Sequence, residues 1–172
     1  MSDRGSITNL TLRPQSYAAR VTPKGDMVEL RVRAVGLNFR DVLNVMNLYP
    51  GDPGPPGSDC AGTVVAVGDR VKHLKVGDSV YGVAPGCLKT YVTTNSQIIR
   101  KMPASMSFEE AAALPVVATT VEYVLNDLAK VRAGEKVLIH AVSGGVGIAA
   151  VQFCKRVGAV VYVAIPRSSR QK

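Results

Sequence analysis

The chain has 172 residues, 47% of them apolar and 20% charged, a composition that excludes intrinsic disorder and suits a globular protein of ordinary domain size. Aromatics reach only 5% and Trp is absent, so the core must be built from Val, Leu, Ile and Ala, which favours α/β or β-rich architecture over a helical bundle. The net charge of +8 comes from scattered residues, without the run of like charges or the basic–aromatic cluster expected of a nucleic-acid module.

Val28 to Val35 alternates Val28, Leu30, Val32 and Ala34 with Glu29, Arg31 and Arg33, which predicts a strand with one wet face. Asn38 to Leu48, with Phe39, Val42, Leu43, Val45 and Met46, reads as a helix. Tyr49 to Gly57 is a loop, because Pro50, Pro53, Pro55 and Pro56 break any hydrogen-bond ladder. Short strands separated by turns follow: Ala61 to Val67, a strand fed by the Gly77-Asp78 turn, Leu88 to Thr93, and Ile98-Ile99. Together they predict a compact β-rich unit.

The pattern changes near residue 106. Ser107 and Glu110 have capping-box spacing, so a helix is expected through Leu114, ended by Pro115, with a second over Thr119 to Leu128. Lys136 to His140 is a continuous apolar strand of the kind buried on both faces in a parallel sheet. A helix from Gly145 to Val157 follows, with Ile148, Val151 and Val157 on one side, then a turn at Gly158-Ala159 and a second buried strand, Val160 to Ala164. Strand, glycine-rich turn, helix and strand make one βαβ unit. Alone, such a unit leaves faces and an edge uncovered, so either another piece completes it or the chain is part of a longer protein.

The turn itself, Ala141 to Gly147, has the pattern A-x-x-G-x-x-G, with Ala141 at the usual first glycine. Glycines allow a sharp turn and close approach of backbone to ligand. The following helix N-terminus offers free N–H groups and partial positive charge, so Ser143, Gly144, Gly145, Val146 and Gly147 are expected to grip a dinucleotide pyrophosphate. About 20 residues on, where an acidic residue usually holds a ribose 2′-hydroxyl, the chain has Arg167, Ser168, Ser169 and Arg170. Arg167, Ser168 and Arg170 suit a 2′-phosphate, hence NADPH over NADH; the alternative is a fraying basic chain end.

Cys60, Cys87 and Cys154 are odd in number and share no CxxC spacing, which argues against a disulfide framework or a cysteine zinc site and for small buried hydrophobes in a reducing compartment. No apolar h-region opens the chain and no apolar stretch reaches a membrane span, so a cytoplasmic protein without membrane contact is expected.

Three stretches together carry a family resemblance. Arg4 to Leu10 (RGSITNL), Gly36 to Leu43 (GLNFRDVL) followed by Tyr49-Pro50-Gly51, and Leu114 to Thr120 with His140 to Gly147 (HAVSGGVG) resemble the enoyl reductase domains of polyketide and fatty acid synthases. These belong to the medium-chain dehydrogenase/reductase superfamily. The resemblance implies a GroES-like β-rich domain over residues 1–112, then the first βαβ unit of a Rossmann domain over 113–172. It also implies NADPH-dependent reduction of an α,β-unsaturated thioester carried on CoA or a carrier protein, and other synthase domains as partners, with a homodimer left open.

Within the resemblance, Tyr49 stands where synthase enoyl reductases often carry a Tyr linked to α-carbon protonation; the alternative is a loop-packing aromatic. Asn38 and Thr120 match positions near the nicotinamide, the alternatives being a turn-forming Asn and an ordinary helix Thr. Zinc members place a Cys near position 38 and a GHE motif near 58; Asn38 and Gly57-Ser58-Asp59 here imply a zinc-free enzyme. His140 is expected to be a satisfied structural histidine, and Arg40 and Asp41 a local pair. Val121-Glu122 departs from the small-aromatic pair usual after Thr120, and the family's candidate catalytic Lys and Asp belong to later strands outside this sequence. The alternatives are a quinone oxidoreductase of the same superfamily and an inactive GroES-like interaction piece.

Overall fold

The computed structural model describes residues 4–16 and 22–164. The chain divides into two compact units, Met1–Pro115 and Val116–Lys172.

The first unit is built on five antiparallel strands, β1 (Met27–Gly36), β2 (Asp59–Val67), β3 (Ser79–Val83), β4 (Tyr91–Asn95) and β5 (Ile99–Lys101), in the order β4-β1-β2-β3-β5. The alternation read in β1 holds at Val28 and Leu30, which enter a core with Val64, Val80, Val92 and Ile99. Glu29, on the expected wet face, is buried as well. The fourth strand begins later than its sequence suggests, because Lys89 N–H closes a tight turn on the Cys87 carbonyl and delays pairing to Tyr91. At the edge, the Gln15 side chain treats β4 as a strand would: its Nε2 donates to Tyr91 O at 2.9 Å and its Oε1 accepts Tyr91 N–H at 2.9 Å.

The helix α1 (Phe39–Val45) is shorter than expected and turns its polar side inward. Asp41, Asn44 and Val45 are buried, while Phe39 is 74% exposed. Helix α2 (Phe108–Ala112) begins with the predicted capping box: Ser107 Oγ accepts Glu110 N–H at 3.1 Å, and Glu110 Oε2 accepts Ser107 N–H at 2.8 Å. Gly36 is required where α2 meets β1, since a Cβ there would stand 2.2 Å from the Ala112 carbonyl oxygen.

Pro115 does not end a helix; it opens α3 (Pro115–Val121), the place where its missing N–H costs least. A π-helical stretch, Glu122–Leu128, continues it directly. Strands β6 (Lys136–His140) and β7 (Val160–Ala164) pair in parallel, Leu138 opposite Tyr162, joined by α4 (Gly145–Val157). Gly158 ends α4 at φ 80°, the left-handed cap glycine tolerates best. One face of the pair packs with α4 around Ile139, Ala150, Phe153 and Cys154. The other does not have the expected cover: Leu138 is 59% and Tyr162 51% exposed. Ile148 likewise points outward, because Gly147, Ala150 and Phe153 form the packed side of α4; Val151 and Val157 do pack against the cluster. Among the described residues, no helix is long and apolar enough to cross a membrane.

Candidate functional site

In the second unit, β6 leads into α4 through the glycine-rich turn. The one residue of this turn in the left-handed region is Ala141, at φ 50°, rather than a glycine. Gly144 N–H closes the turn on the Ala141 carbonyl at 3.0 Å, and Gly144 is the N-cap of α4 with no side-chain cap. The glycines serve three different ends. A Cβ on Gly147 would stand 2.5 Å from Ala141 O and 2.7 Å from Val142 Cα, so Gly147 lets helix and strand approach. A Cβ on Gly145 would press on Val117 at 3.1 Å. At Gly144 the backbone is extended, φ −81°, and a Cβ would meet only Ala141 O at 3.4 Å, an ordinary contact. Neither conformation nor packing demands glycine at 144. Ser143, Gly144, Gly145 and Val146 are exposed at the end of a 13-residue helix, whose first N–H groups lack intrahelical acceptors. This arrangement can take an anion.

Thr120 is an exposed residue near the end of α3, and its hydroxyl donates to Val116 O at 2.7 Å. With its proton committed, the Thr120 oxygen is left to act as an acceptor toward a ligand. Two residues on, Glu122 accepts Arg156 Nη2 of α4 at 2.5 Å, an ion pair that ties the start of the π-helical stretch to α4.

In the first unit, Asn38 and Tyr49 flank α1. Asn38 Nδ2 donates to Asp59 Oδ2 at 3.2 Å, which fixes the amide at the start of α1. Asp59 is 1% exposed, so this anchor is itself rigid. Asp41 does not pair with Arg40 as expected. Its carboxylate accepts Asn38 N–H at 2.9 Å and Gly57 N–H at 2.8 Å, joining the two ends of the segment 38–57. Arg40 instead lies over the Tyr49 ring, 5.0 Å from its centre, and donates to Pro53 O at 3.3 Å. Asn44 and Arg4 both donate to Gly54 O at 3.1 Å. The proline loop that carries Tyr49 is therefore held from four side chains, and the ring is half-buried. Beneath it, Cys87 Sγ donates to Asp59 O at 3.4 Å, and the hydrogen bond with Cys87, then burial, pushes the Cys60 thiol far above the ordinary range. Cys60, Cys87 and Cys154 are free and buried, as expected from the sequence.

The structure thus gathers Ser143 to Gly147 at one helix end, with Thr120 in the same unit, and Asn38 and Tyr49 on one segment of the other unit. Arg167, Ser168 and Arg170 lie outside the described residues. His140 is exposed, contrary to the buried structural histidine expected. Sequence reasoning missed Asp59 and Arg4 as anchors; the only signals were an Asp opening a strand and an Arg at the head of the RGSITNL stretch. Among the described residues, no group of three or more His, Cys, Asp or Glu could hold a metal ion.

The alcohol dehydrogenase GroES-like domain family matches residues 24–116, more than half of the chain. The chain belongs to the medium-chain dehydrogenase/reductase superfamily. Its relatives include polyketide synthases, and its structural neighbours include enoyl reductases and quinone oxidoreductases. It is 43% identical over 163 residues to a phenolphthiocerol synthesis polyketide synthase type I of Mycobacterium marinum, covering 95% of this chain and 8% of that protein. The CurK enoyl reductase crystal structure superposes with a TM-score of 0.89 at 40% identity over 98% of this chain. Escherichia coli quinone oxidoreductase complexed with NADPH gives a TM-score of 0.77 at 31% identity over 93% of this chain. The chain spans 54% and 48% of those two structures, a GroES-like domain and the start of a Rossmann fold.

Proposed function

We propose that this chain forms the GroES-like domain and the phosphate-binding turn of an NADPH-dependent enoyl reductase that reduces an α,β-unsaturated acyl thioester in polyketide or fatty acid synthesis. The carrying observation is Gly144: a glycine that neither φ nor packing requires, exposed at an uncapped helix N-terminus, is explained by close approach of a ligand phosphate. The polyketide synthase relatives and the NADPH-bound neighbour support the same reading.

Ser143, Gly144, Gly145, Val146 and Gly147 would hold the pyrophosphate, and Arg167, Ser168 and Arg170 the 2′-phosphate. When bound, NADPH supplies hydride to the β-carbon of the substrate. Thr120 offers an oxygen acceptor whose donor bond is already made, suited to the carboxamide N–H groups of a nicotinamide or its ribose hydroxyls; Asn38, held by Asp59, is the first unit's candidate cofactor contact. The Tyr49 phenol is the proton source for the α-carbon, and the Arg40 guanidinium over its ring holds the ring in place. Asn38 and Gly57-Ser58-Asp59 stand where zinc members carry their ligands, so polarisation of the thioester falls to protein donors. The proposal includes a cytoplasmic location and neighbouring synthase domains as partners.

The test is steady-state NADPH oxidation by the polypeptide that carries this segment, with a crotonyl thioester and with a quinone. Thioester-dependent oxidation with NADPH preferred over NADH is expected. Quinone-dependent oxidation alone would instead assign the quinone oxidoreductase activity of the second neighbour.

A further inference from the structure

Cys60 is the second residue of β2 and Cys87 lies in the loop after β3; both are fully buried in the core of the first unit. The chain leaving β3 runs back beside the end of the proline loop: Ala84 N–H donates to Ser58 O at 2.7 Å, Gly86 N–H to Gly57 O at 2.8 Å and Leu88 N–H to Pro56 O at 3.3 Å. Cys87 is thereby brought against the start of β2. Its Sγ lies 3.4 Å from Asp59 O, the carbonyl of the peptide bond to Cys60, and the two thiols hydrogen-bond each other. The Cys60 S–H holds the Cys87 thiol below its ordinary range, the arrangement that makes one member of a dithiol the nucleophile. The loop is seated on this pair without slack, since a Cβ on Gly57 would stand 3.0 Å from Cys87 Sγ and 2.6 Å from Leu88 N. Leu88 is 47% exposed and, with Pro56, lines a cavity of about 460 Å³, so solvent comes within one residue of Cys87. Cys154 has no second thiol in its unit.

We propose that Cys60 and Cys87 are a site of reversible oxidation, closed to an internal disulfide by a hydroperoxide, and that closure loosens the proline loop carrying Tyr49. The Cys87 thiolate attacks the peroxide: an S–O bond forms, the O–O bond breaks, and the leaving oxygen departs protonated, as water or an alcohol. The Cys60 sulfur then attacks Cys87: the S–S bond forms, the S–O bond breaks, and the hydroxyl leaves as water with the Cys60 proton. Two electrons pass from the thiols to the peroxide, and an external dithiol returns them. The joined sulfurs stand about 2.0 Å apart and carry no hydrogen. Asp59 O thus loses its thiol donor, and Cys87 is drawn off its seat against Gly57. Gly57 N–H is held by Asp41, which also holds Asn38, so the displacement is passed to the segment 38–57. The inference goes beyond the reductase reading, and its test needs no turnover.

The reduced 172-residue chain is treated with a small excess of hydrogen peroxide, quenched with N-ethylmaleimide in urea and mapped by mass spectrometry. A linked Cys60–Cys87 peptide is expected, with Cys154 alkylated, and dithiothreitol should restore both thiols. Amide exchange at Gly57, Gly86 and Leu88 should quicken about tenfold in the oxidised chain, the effect of about one lost hydrogen bond. Leu30 and Val92, paired between β1 and β4, should keep their protection. Cys60→Ala and Cys87→Ala should each abolish the peroxide effect on exchange, but the unsubstituted chain carries the test whether or not they fold. Thiols that stay reduced, stop at sulfinic acid or pair through Cys154 would overturn the proposal. So would a disulfide-closed chain whose loop exchanges at the reduced rate.

Discussion

Gly147 lies directly against Ala141: a Cβ on the helix residue would stand 2.5 Å from the carbonyl oxygen of the strand-end residue. Gly144, three positions earlier, has no such neighbour. The two glycines should therefore fail in different ways. Gly147→Ala should lower stability by about 1–3 kcal/mol, because backbone must move to admit the methyl. Gly144→Val should leave thermal unfolding nearly unchanged and abolish NADPH binding, read by nucleotide fluorescence. A Gly144→Val chain that binds normally would remove the turn from the cofactor site.

Ala141 itself holds a backbone that costs a non-glycine residue about 1–2 kcal/mol. Glycine there would lose about 0.5–1 kcal/mol more chain entropy on folding. Ala141→Gly should thus stabilise by roughly 0.5–1 kcal/mol, seen as a higher urea midpoint at constant slope.

Tyr49→Phe keeps the ring under Arg40 and removes the phenol proton. In the polypeptide that carries this segment, kcat should fall by about 10²-fold or more with little change in the KM for NADPH. An unchanged kcat would return Tyr49 to a packing role.

Acid should weaken the first unit through three carboxylates. Backbone hydrogen bonds hold Glu110, Asp69 and Asp78 below the usual carboxylate range: Glu110 takes Ser107 N–H, Asp69 takes Gly25 N–H, and Asp78 takes Lys75 N–H, with Lys101 adding to the last. A depressed folded-state value means the stabilisation is present above the unfolded value, about 4, and is lost as pH falls through the folded one. Stability should decline below about pH 4, and Asp78→Asn should flatten that decline. An identical acid slope in the variant would show that the carboxylate does not contribute.

All three thiols are fully buried, and burial also raises the Cys154 thiol. Ellman's reagent should find none of them quickly in the native chain and all of them in urea. A fast native phase would mean that Cys60 or Cys87 is reached by opening of the loop above.

Elements with a strong local signal were legible. Lys136–His140, the turn, Gly145–Val157 and Val160–Ala164 came out to the residue, because an apolar strand, a glycine turn and a 3.6-residue period are each local properties. Burial was less legible, since it depends on what lies opposite: Leu138 and Ile148 are as apolar as Ile139 but face no neighbour. Pro115 was read as a stop when it is a start; the two differ only in the direction the helix runs from it. The continuation of α3 as a π-helix had no signal in residue type. At the site, the glycine turn was visible but the roles of its glycines were not, because the left-handed residue proved to be Ala141. The Asn38–Asp59 bond joins residues far apart in sequence, and no periodicity reports such a bond.

One side-chain amide also decides how the first sheet ends. By accepting and donating at Tyr91, Gln15 counterfeits a residue of a sixth strand without supplying the strand. A visiting chain that tried to add itself to β4 would find the first rung of the ladder taken and only the remainder of a five-residue edge to grip. The amide is thus a stopper against self-association. Gln15→Leu, which leaves every core contact of the sheet in place, should surface as concentration-dependent aggregation before it surfaces as lost stability.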